Sequence, residues 1–349
     1  MSKALITGGC GFIGATLTDW LMDTEYEVRV TDLCEADCSS ICDLDVGFRN
    51  GDLTRPDTLD NVVEDVDVVF HTAAIFDYST LIDQEVYRKV NVEGTENLLE
   101  ACVEADVDRF VNWSTAGVYK PVKGKPRLMD ENHEKGPESS YDRSKWQQEQ
   151  VAMEYDGENG MDVLTVRPAA VYGPGNMFGI AQIIQAVANG HLRMYPAVGE
   201  YKMPLVHVDD MVGASIHLAE NGEHGEAYNV VDDQGYDMAR VLKYIGSLTG
   251  TRMFPAPLPN RMYQNLSGFK PLLSAAERAF DMMGQDAPIG ADALSYLRGN
   301  YWLSNRKLKD TGYEMLYPDF RAGMQETVNW YRSQGILEGE VTDQSIAVE

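Results

Sequence analysis

The sequence is short of basic residues: 29 Lys and Arg stand against 55 Asp and Glu, a formal charge of −26. That deficit argues against a nucleic-acid partner, because phosphate binding needs clustered cations. It argues equally against docking on an anionic membrane. A salt-rich host, where repulsion between carboxylates is screened, can favour such a surface. Long apolar runs are missing, and none approaches the roughly 18–20 residues that a membrane span needs. The start, residues 1–6, faintly resembles a secretory leader, but glycines interrupt it at once and no small-residue cleavage site follows. Cysteine is scarce, with five residues in 349, which makes no disulfide framework and points to a reducing cytoplasm. Cys34, Cys38 and Cys42 are spaced by four, yet no His or fourth Cys follows at zinc spacing, so no metal is expected. Repeats and low-complexity tracts are absent.

What is present is an ordinary globular composition, 44% hydrophobic and 24% charged, in a chain sized for one large α/β domain or two sharing a cleft. Residues 4–7, 28–31, 66–70, 110–113 and 161–166 are short apolar runs of strand type. Helix-period segments lie between them, one reaching Met22 and another spanning 90–105. Such alternation implies right-handed crossovers and a parallel sheet covered on both faces. The second half is less regular, with prolines at 255–259. From Met262 the apolar positions Leu266, Phe269, Leu273, Ala276 and Phe280 follow helical spacing, and Pro271 predicts a kink or two short helices. The expected class is α/β: a Rossmann-type doubly wound parallel sheet with a smaller, mostly C-terminal substrate-binding domain. Residues 1–173, rejoined by about 206–231, form the first unit; 174–205 and 232–349 form the second.

Two motifs carry the chemistry. Glycines at 8, 11 and 14 in Thr7-Gly8-Gly9-Cys10-Gly11-Phe12-Ile13-Gly14 form a turn between a strand and a helix. Such a turn lets backbone N–H groups approach a pyrophosphate at a helix N-terminus. Asp32, about 20 residues on at the end of the second strand, is placed to accept both adenosine ribose hydroxyls. A 2′-phosphate there would meet a like charge, and Arg29 lies inside the strand, so the expected cofactor is NAD rather than NADP. Tyr141 and Lys145, at i and i+4, share one helix face. A nearby ammonium favours the phenolate and lets a tyrosine exchange a proton with a substrate hydroxyl.

These residues join Gly51-Asp52-Leu53, His71-Thr72-Ala73-Ala74, Asn91-Val92-Glu93-Gly94-Thr95, the run from Arg167-Pro168 through Gly175, and Val206-His207-Val208-Asp209-Asp210, in order and spacing. The chain thereby resembles the extended short-chain dehydrogenases/reductases, the epimerase/dehydratase superfamily, over nearly its whole length. The resemblance implies that Gly8, Gly11, Phe12, Ile13 and Gly14 hold the pyrophosphate. It puts Asp52 and Leu53 beside the adenine, and Ala73 and Ala74 along the dinucleotide. Asn91 is implied behind the active site, as part of the cofactor-binding set. Lys145 would bridge the nicotinamide ribose, with Pro168 and Val171 near the carboxamide. Aligning Val118-Tyr119 with the family's Val-Tyr-Gly assigns the catalytic hydroxyl to Thr115, beside Ser114; Lys120 stands where the family usually has Gly. Homodimerisation through the helices at 90–105 and 139–155 is a further implication.

Sugar-nucleotide members carry an Arg before Val-His-Val-Asp-Asp that clamps a diphosphate. Here Met203-Pro204-Leu205 occupies that stretch, with Lys202 adjacent as a poorer point-charge substitute. Other features resemble the branch containing 3β-hydroxysteroid and sterol dehydrogenases, among them His71-Thr72-Ala73-Ala74-Ile75 and the Pro-rich 255–259 entry. An apolar substrate would then meet Ile75, Phe76, Met203 and the Met/Phe-rich 253–282 stretch, although the same stretch is equally read as domain core. His71 and His207 are expected to be packed histidines, and Asp209-Asp210 to cap the helix that follows. The expectation is an NAD-dependent oxidoreductase of a secondary alcohol or ketone, with Thr115, Tyr141 and Lys145 catalytic and Phe76, Ser114, Thr115, Tyr141 and Met203 on the substrate. A sugar or nucleotide-sugar 4-epimerase that retains its NAD is the alternative. A non-catalytic NAD-sensing protein is a third reading, which expects Tyr141 or Lys145 to be eroded.

Overall fold

The computed structural model describes residues 2–76, 81–122, 124–197, 201–256, 270–283 and 300–341. Seven strands form the central sheet: β1 (Lys3–Thr7), β2 (Glu27–Asp32), β3 (Gly47–Asn50), β4 (Val68–His71), β5 (Arg109–Trp113), β6 (Asp162–Pro168) and β7 (Ala227–Val230). Their order is β7-β6-β5-β4-β1-β2-β3, and every pairing is parallel. The helices that matter for the site are α1 (Phe12–Met22), α2 (Gly94–Glu104), α3 (Ser140–Glu154), α4 (Ile180–Ala188), α5 (Val208–Asn221), α6 (Met238–Leu248), α7 (Lys270–Met282) and α8 (Phe320–Ser333).

Successive strand residues point to opposite faces, and the two flanking cores obey that period. Ile6, Phe70, Val111 and Leu164 pack with Leu17 and Leu21 of α1 and with Met211 and Val212 of α5. Leu5, Val69, Phe110 and Val163 pack with Leu98, Leu99 and Cys102 of α2 and Ala152 of α3. A third core joins Ile184 and Val187 of α4, Val241 and Ile245 of α6, and Phe320, Met324 and Val328 of α8. Tyr301, Leu303 and Leu308 belong to the α1/α5 layer, so this part of the C-terminal segment returns to the sheet. β1 and β4, on either side of the order reversal, open a crevice at their carboxyl ends, where such sheets bind ligands.

One expectation is corrected in detail. The segment from 90 to 105 is not one regular helix, because a π-helical turn, Arg88–Glu93, precedes α2. Asn91, within that turn, bonds two other segments through its side chain. Pro271 is the second residue of α7, where a missing N–H costs nothing. Met262, Leu266 and Phe269 lie outside the described residues. Among the described residues, no helix is long and apolar enough to cross a membrane.

Candidate active site

The crevice is a cavity of about 840 Å³, and it gathers most of the residues singled out from sequence. Gly8, Gly11, Phe12, Ile13, Gly14, Asp32, Asp52, Leu53, Ala73, Ala74, Pro168 and Val171 line it. Phe76, Ser114, Thr115, Tyr141, Lys145 and Met203 line it as well.

The glycine turn is shaped by its own backbone. A Cβ on Gly14 would come within 2.2 Å of the Gly8 carbonyl oxygen, and one on Gly8, at φ +68°, within 2.8 Å of Ala73 Cα. The N-cap of α1 is Gly11, which offers no side chain, so the first-turn amides are left for an anion. Asp32 is oriented by two backbone donors, the N–H groups of Cys10 at 3.0 Å and Leu33 at 2.8 Å. Arg29 is committed elsewhere, donating to the carbonyls of Val62 at 2.9 Å and Glu64 at 2.6 Å. These donors and this carboxylate fit the pyrophosphate and ribose diol of NAD, and offer no described cation to a 2′-phosphate.

Tyr141 and Lys145 lie on the first turns of α3, which Ser139 caps by accepting from Asp142 N–H at 2.9 Å. The Tyr141 ring meets Phe76 edge-on at 4.9 Å between centroids, and Phe178 continues the aromatic row 6.4 Å beyond Phe76. Lys145 is 2% exposed; burial pushes its amine down to about 7, while Glu149 one turn later opposes the fall. Thr115 Oγ1 accepts from Gly117 N–H at 3.1 Å, which leaves its own hydrogen to donate. Ser114 Oγ is buried and has no hydrogen-bond partner among the described residues. Lys120 extends the strand-like bridge of Tyr119 with Lys135 and pairs with Glu134 at 2.7 Å.

Asn91 is fully buried and is not among the residues that line the cavity. Its amide accepts from Ile75 N–H at 2.8 Å and donates to Ile75 C=O at 3.1 Å and Ser144 Oγ at 2.9 Å, tying the 73–76 loop to α3. The capping expectation is also corrected. His207 is the N-cap of α5, accepting from Asp209 N–H at 3.3 Å, whereas Asp210 receives the N–H groups of Leu316 and Tyr317 at 2.6 and 2.8 Å. The reduced-thiol expectation fails at one pair, because Cys10 and Cys38 form a disulfide; Cys34, Cys42 and Cys102 are free. That bond staples the glycine turn to the loop after β2, and residues 28 apart with unrelated neighbours gave no signal of it.

His71 is packed, as expected, and serves as a strut. Thr95 donates to Asn91 C=O, so the Thr95 oxygen accepts from His71 Nε2–H at 2.8 Å and His71 Nδ1 accepts from Thr7 at 2.8 Å. Complete burial, with the Lys145 charge adding to it, pushes His71 down to about 3. The unfolded chain therefore takes up a proton near pH 6.5 that the folded chain refuses until about 3. His71's contribution to stability is intact above pH 6.5 and is lost as pH falls through the folded value. Denaturant midpoints should fall more steeply between pH 6.5 and 4 in the wild type than in His71→Gln.

Much of the remaining cavity wall is apolar. Phe178, Ile180, Ile183, Leu192, Met194, Met203, Met238 and Leu242 line it beside the polar Asn176, Gln182 and Tyr301, and no Arg does so among the described residues. Lys202 reaches the wall but is bound to Gly235 C=O at 3.0 Å and Asp237 at 3.1 Å. Sequence reasoning missed the buried pair Gln148 and Asn112, although an Asn inside the strand Arg109–Trp113 is itself a signal.

Comparison with known proteins agrees with this geometry. The model of the NAD dependent epimerase/dehydratase family matches residues 4–231. The chain is 27% identical to the 3-beta-hydroxysteroid dehydrogenase of Mycolicibacterium neoaurum over 349 residues, 95% of this chain and 92% of that protein. It is 26% identical to sterol demethylase protein B of Methylococcus capsulatus, covering 95% of this chain and 99% of the other. A UDP-glucose 4-epimerase from Thermotoga maritima, solved with UDP-glucose, shares its fold with a TM-score of 0.74 at 23% identity, covering 95% and 99% of the two chains. The chain belongs to the NAD dependent epimerase/dehydratase family, and is an NAD-dependent oxidoreductase or epimerase.

Proposed function

We propose that the protein oxidises a secondary alcohol, or reduces the matching ketone, on an apolar carbon skeleton of sterol-like size. The carrying observation is the substrate end of the cavity: a wall of Phe, Ile, Leu and Met side chains, no described Arg, and a Lys202 already paired. A diphosphate there would lose water without gaining a bidentate partner, whereas an apolar ring system would gain about 25 cal/mol for each Å² it buries. The relatives named for 3β-hydroxysteroids and sterols, aligned over 95% of the chain, support the same class.

In this reading Thr115 donates its free hydrogen to the substrate oxygen. Tyr141 takes the hydroxyl proton in oxidation and returns it in reduction. Lys145 holds the phenolate charge and reaches the ribose, while Gly8, Gly11, Phe12, Ile13, Gly14 and Asp32 hold the rest of the cofactor and Ala73, Ala74, Pro168 and Val171 frame its reactive end. NAD, when bound, supplies the carbon that accepts or gives the hydride. Phe76 and Met203 close over the substrate, with Ser114 as a second hydroxyl.

Steady formation of NADH from an apolar cyclic secondary alcohol, and none from UDP-glucose, is the expected result. Epimerised UDP-glucose with tightly retained NAD and no net NADH would replace this reading with the 4-epimerase one.

The two-unit division at 1–173 with 206–231, and 174–205 with 232–349, is proposed with it, supported by the separate α4/α6/α8 core, although Tyr301, Leu303 and Leu308 pack with the first unit. So is a homodimer through α2 and α3, which is read by light scattering. A cytoplasmic setting is consistent with three free cysteines; there, a partly exposed disulfide is of the redox-responsive kind.

A further inference from the structure

Three residues share one stripe of α3: Tyr141, Lys145 and, at i+7 from Tyr141, Gln148. Gln148 is fully buried, and so is Asn112 in the middle of β5. Burying two carboxamides is costly unless every polar atom is bonded, and an apolar pair would fill the same space without that requirement. Here the bonds form one directed chain. Lys145 Nζ donates to Gln148 Oε1 at 2.6 Å, Gln148 Nε2 donates to Asn112 Oδ1 at 2.7 Å, and Asn112 Nδ2 donates to Thr165 Oγ1 at 3.2 Å. An ammonium has only hydrogens to offer, so its presence at one end sets the direction of both amides. Gln148 is the one hydrogen-bond partner of Lys145 Nζ among the described residues, which leaves two hydrogens for the phenol and the ribose.

We propose that Gln148, anchored by Asn112 and Thr165, is a positioning residue that fixes the Lys145 amine at the cavity wall and favours its ammonium form. The role assigned to that ammonium rests on the reading above; its placement does not. An amine this deeply buried loses water on all sides, and a carbonyl oxygen aimed at it replaces part of what was lost. Other ionisable groups around Lys145 are few. Tyr141, Asp142, Arg143 and Glu149 share its helix; Asp142 is bound to Ser139, Arg143 to Glu138 C=O and Ser140, and Glu149 to Arg167 of β6. His71 of β4 stays neutral. On the preceding π-helical turn Arg88 is exposed and paired with Glu85 and Glu93. None of these supplies a hydrogen bond to the amine.

The test is a titration of Lys145 by NMR of ¹³C-labelled lysine in the protein without NAD, in wild type, Gln148→Leu and Gln148→Glu. Gln148→Leu should move the midpoint down by about one pH unit or more, and Gln148→Glu should move it up by a similar amount. Because the two shifts have opposite sign, impaired folding cannot mimic them. In turnover, the alkaline limb of kcat should follow the midpoint in each variant, with kcat of Gln148→Leu at pH 8 falling about tenfold. An unchanged midpoint in both variants would overturn the proposal, even if thermal stability fell. The titration needs no substrate, so it fails or holds separately from the alcohol reading.

Discussion

Replacing Tyr141 by Phe should lower kcat by about 10²–10⁴-fold while NAD affinity stays within about twofold of wild type. The substitution removes one oxygen and leaves the ring, and with it the edge-on contact to Phe76 at 4.9 Å. α3 keeps its Ser139 cap and its Lys145 bond to Gln148, so cofactor binding has no reason to change. An interaction made with the reacting oxygen alone lowers kcat, whereas loss of the pocket would raise KM as well. Calorimetric NAD binding beside steady-state kinetics separates the two. Wild-type turnover would remove Tyr141 from its assigned role.

The second large effect is on stability. Glu149 and Arg167 form an ion pair whose side chains are 3% and 6% exposed, with Arg167 Nε 3.1 Å from both carboxylate oxygens. Arg167 also donates to Tyr119 Oη at 2.9 Å and to Glu131 C=O at 3.1 Å, and Tyr119 donates to Asn229 at 2.6 Å. The network pins α3 to β6 and β7. Glu149→Leu would leave the guanidinium buried without its counter-charge and should cost about 3–5 kcal/mol in urea unfolding. The double variant Glu149→Leu/Arg167→Met should recover much of that loss, because no lone charge remains. Equal losses in single and double variants would show that shape, not charge, governs the site. Removal of Glu149 should also lower the Lys145 midpoint further, since its charge now opposes the effect of burial.

Local spacing made much of the molecule legible. Gly8, Gly11 and Gly14 must be small because the turn folds onto itself, and Asp32 must follow at the end of the next strand; both constraints lie within one βαβ unit. Tyr141 and Lys145 are one helical turn apart, so their shared direction needed no tertiary knowledge. The alternating strands predicted the parallel sheet for the same reason. What stayed hidden depends on partners distant in the chain. The partners of Asn91, Ile75 and Ser144, lie 16 and 53 positions away, so its bonds could not be read from its own segment. Gln148 reads as an ordinary helix residue until Asn112, 36 positions earlier, is found against it. Asp210 looks like a cap, yet a loop more than a hundred residues later claims it and leaves the capping to His207. The Cys10–Cys38 bond needed the loop after β2 to fold back over the glycine turn.

The most direct test uses an apolar cyclic secondary alcohol carrying deuterium on its carbinol carbon. Wild-type protein with NAD should form ketone and NADH in equal amounts, with one deuterium on the nicotinamide ring of each NADH and a slower rate than with the unlabelled alcohol. Ketone formed with unlabelled NADH, or a catalytically idle protein that binds NAD and ignores every such alcohol, would contradict the assignment.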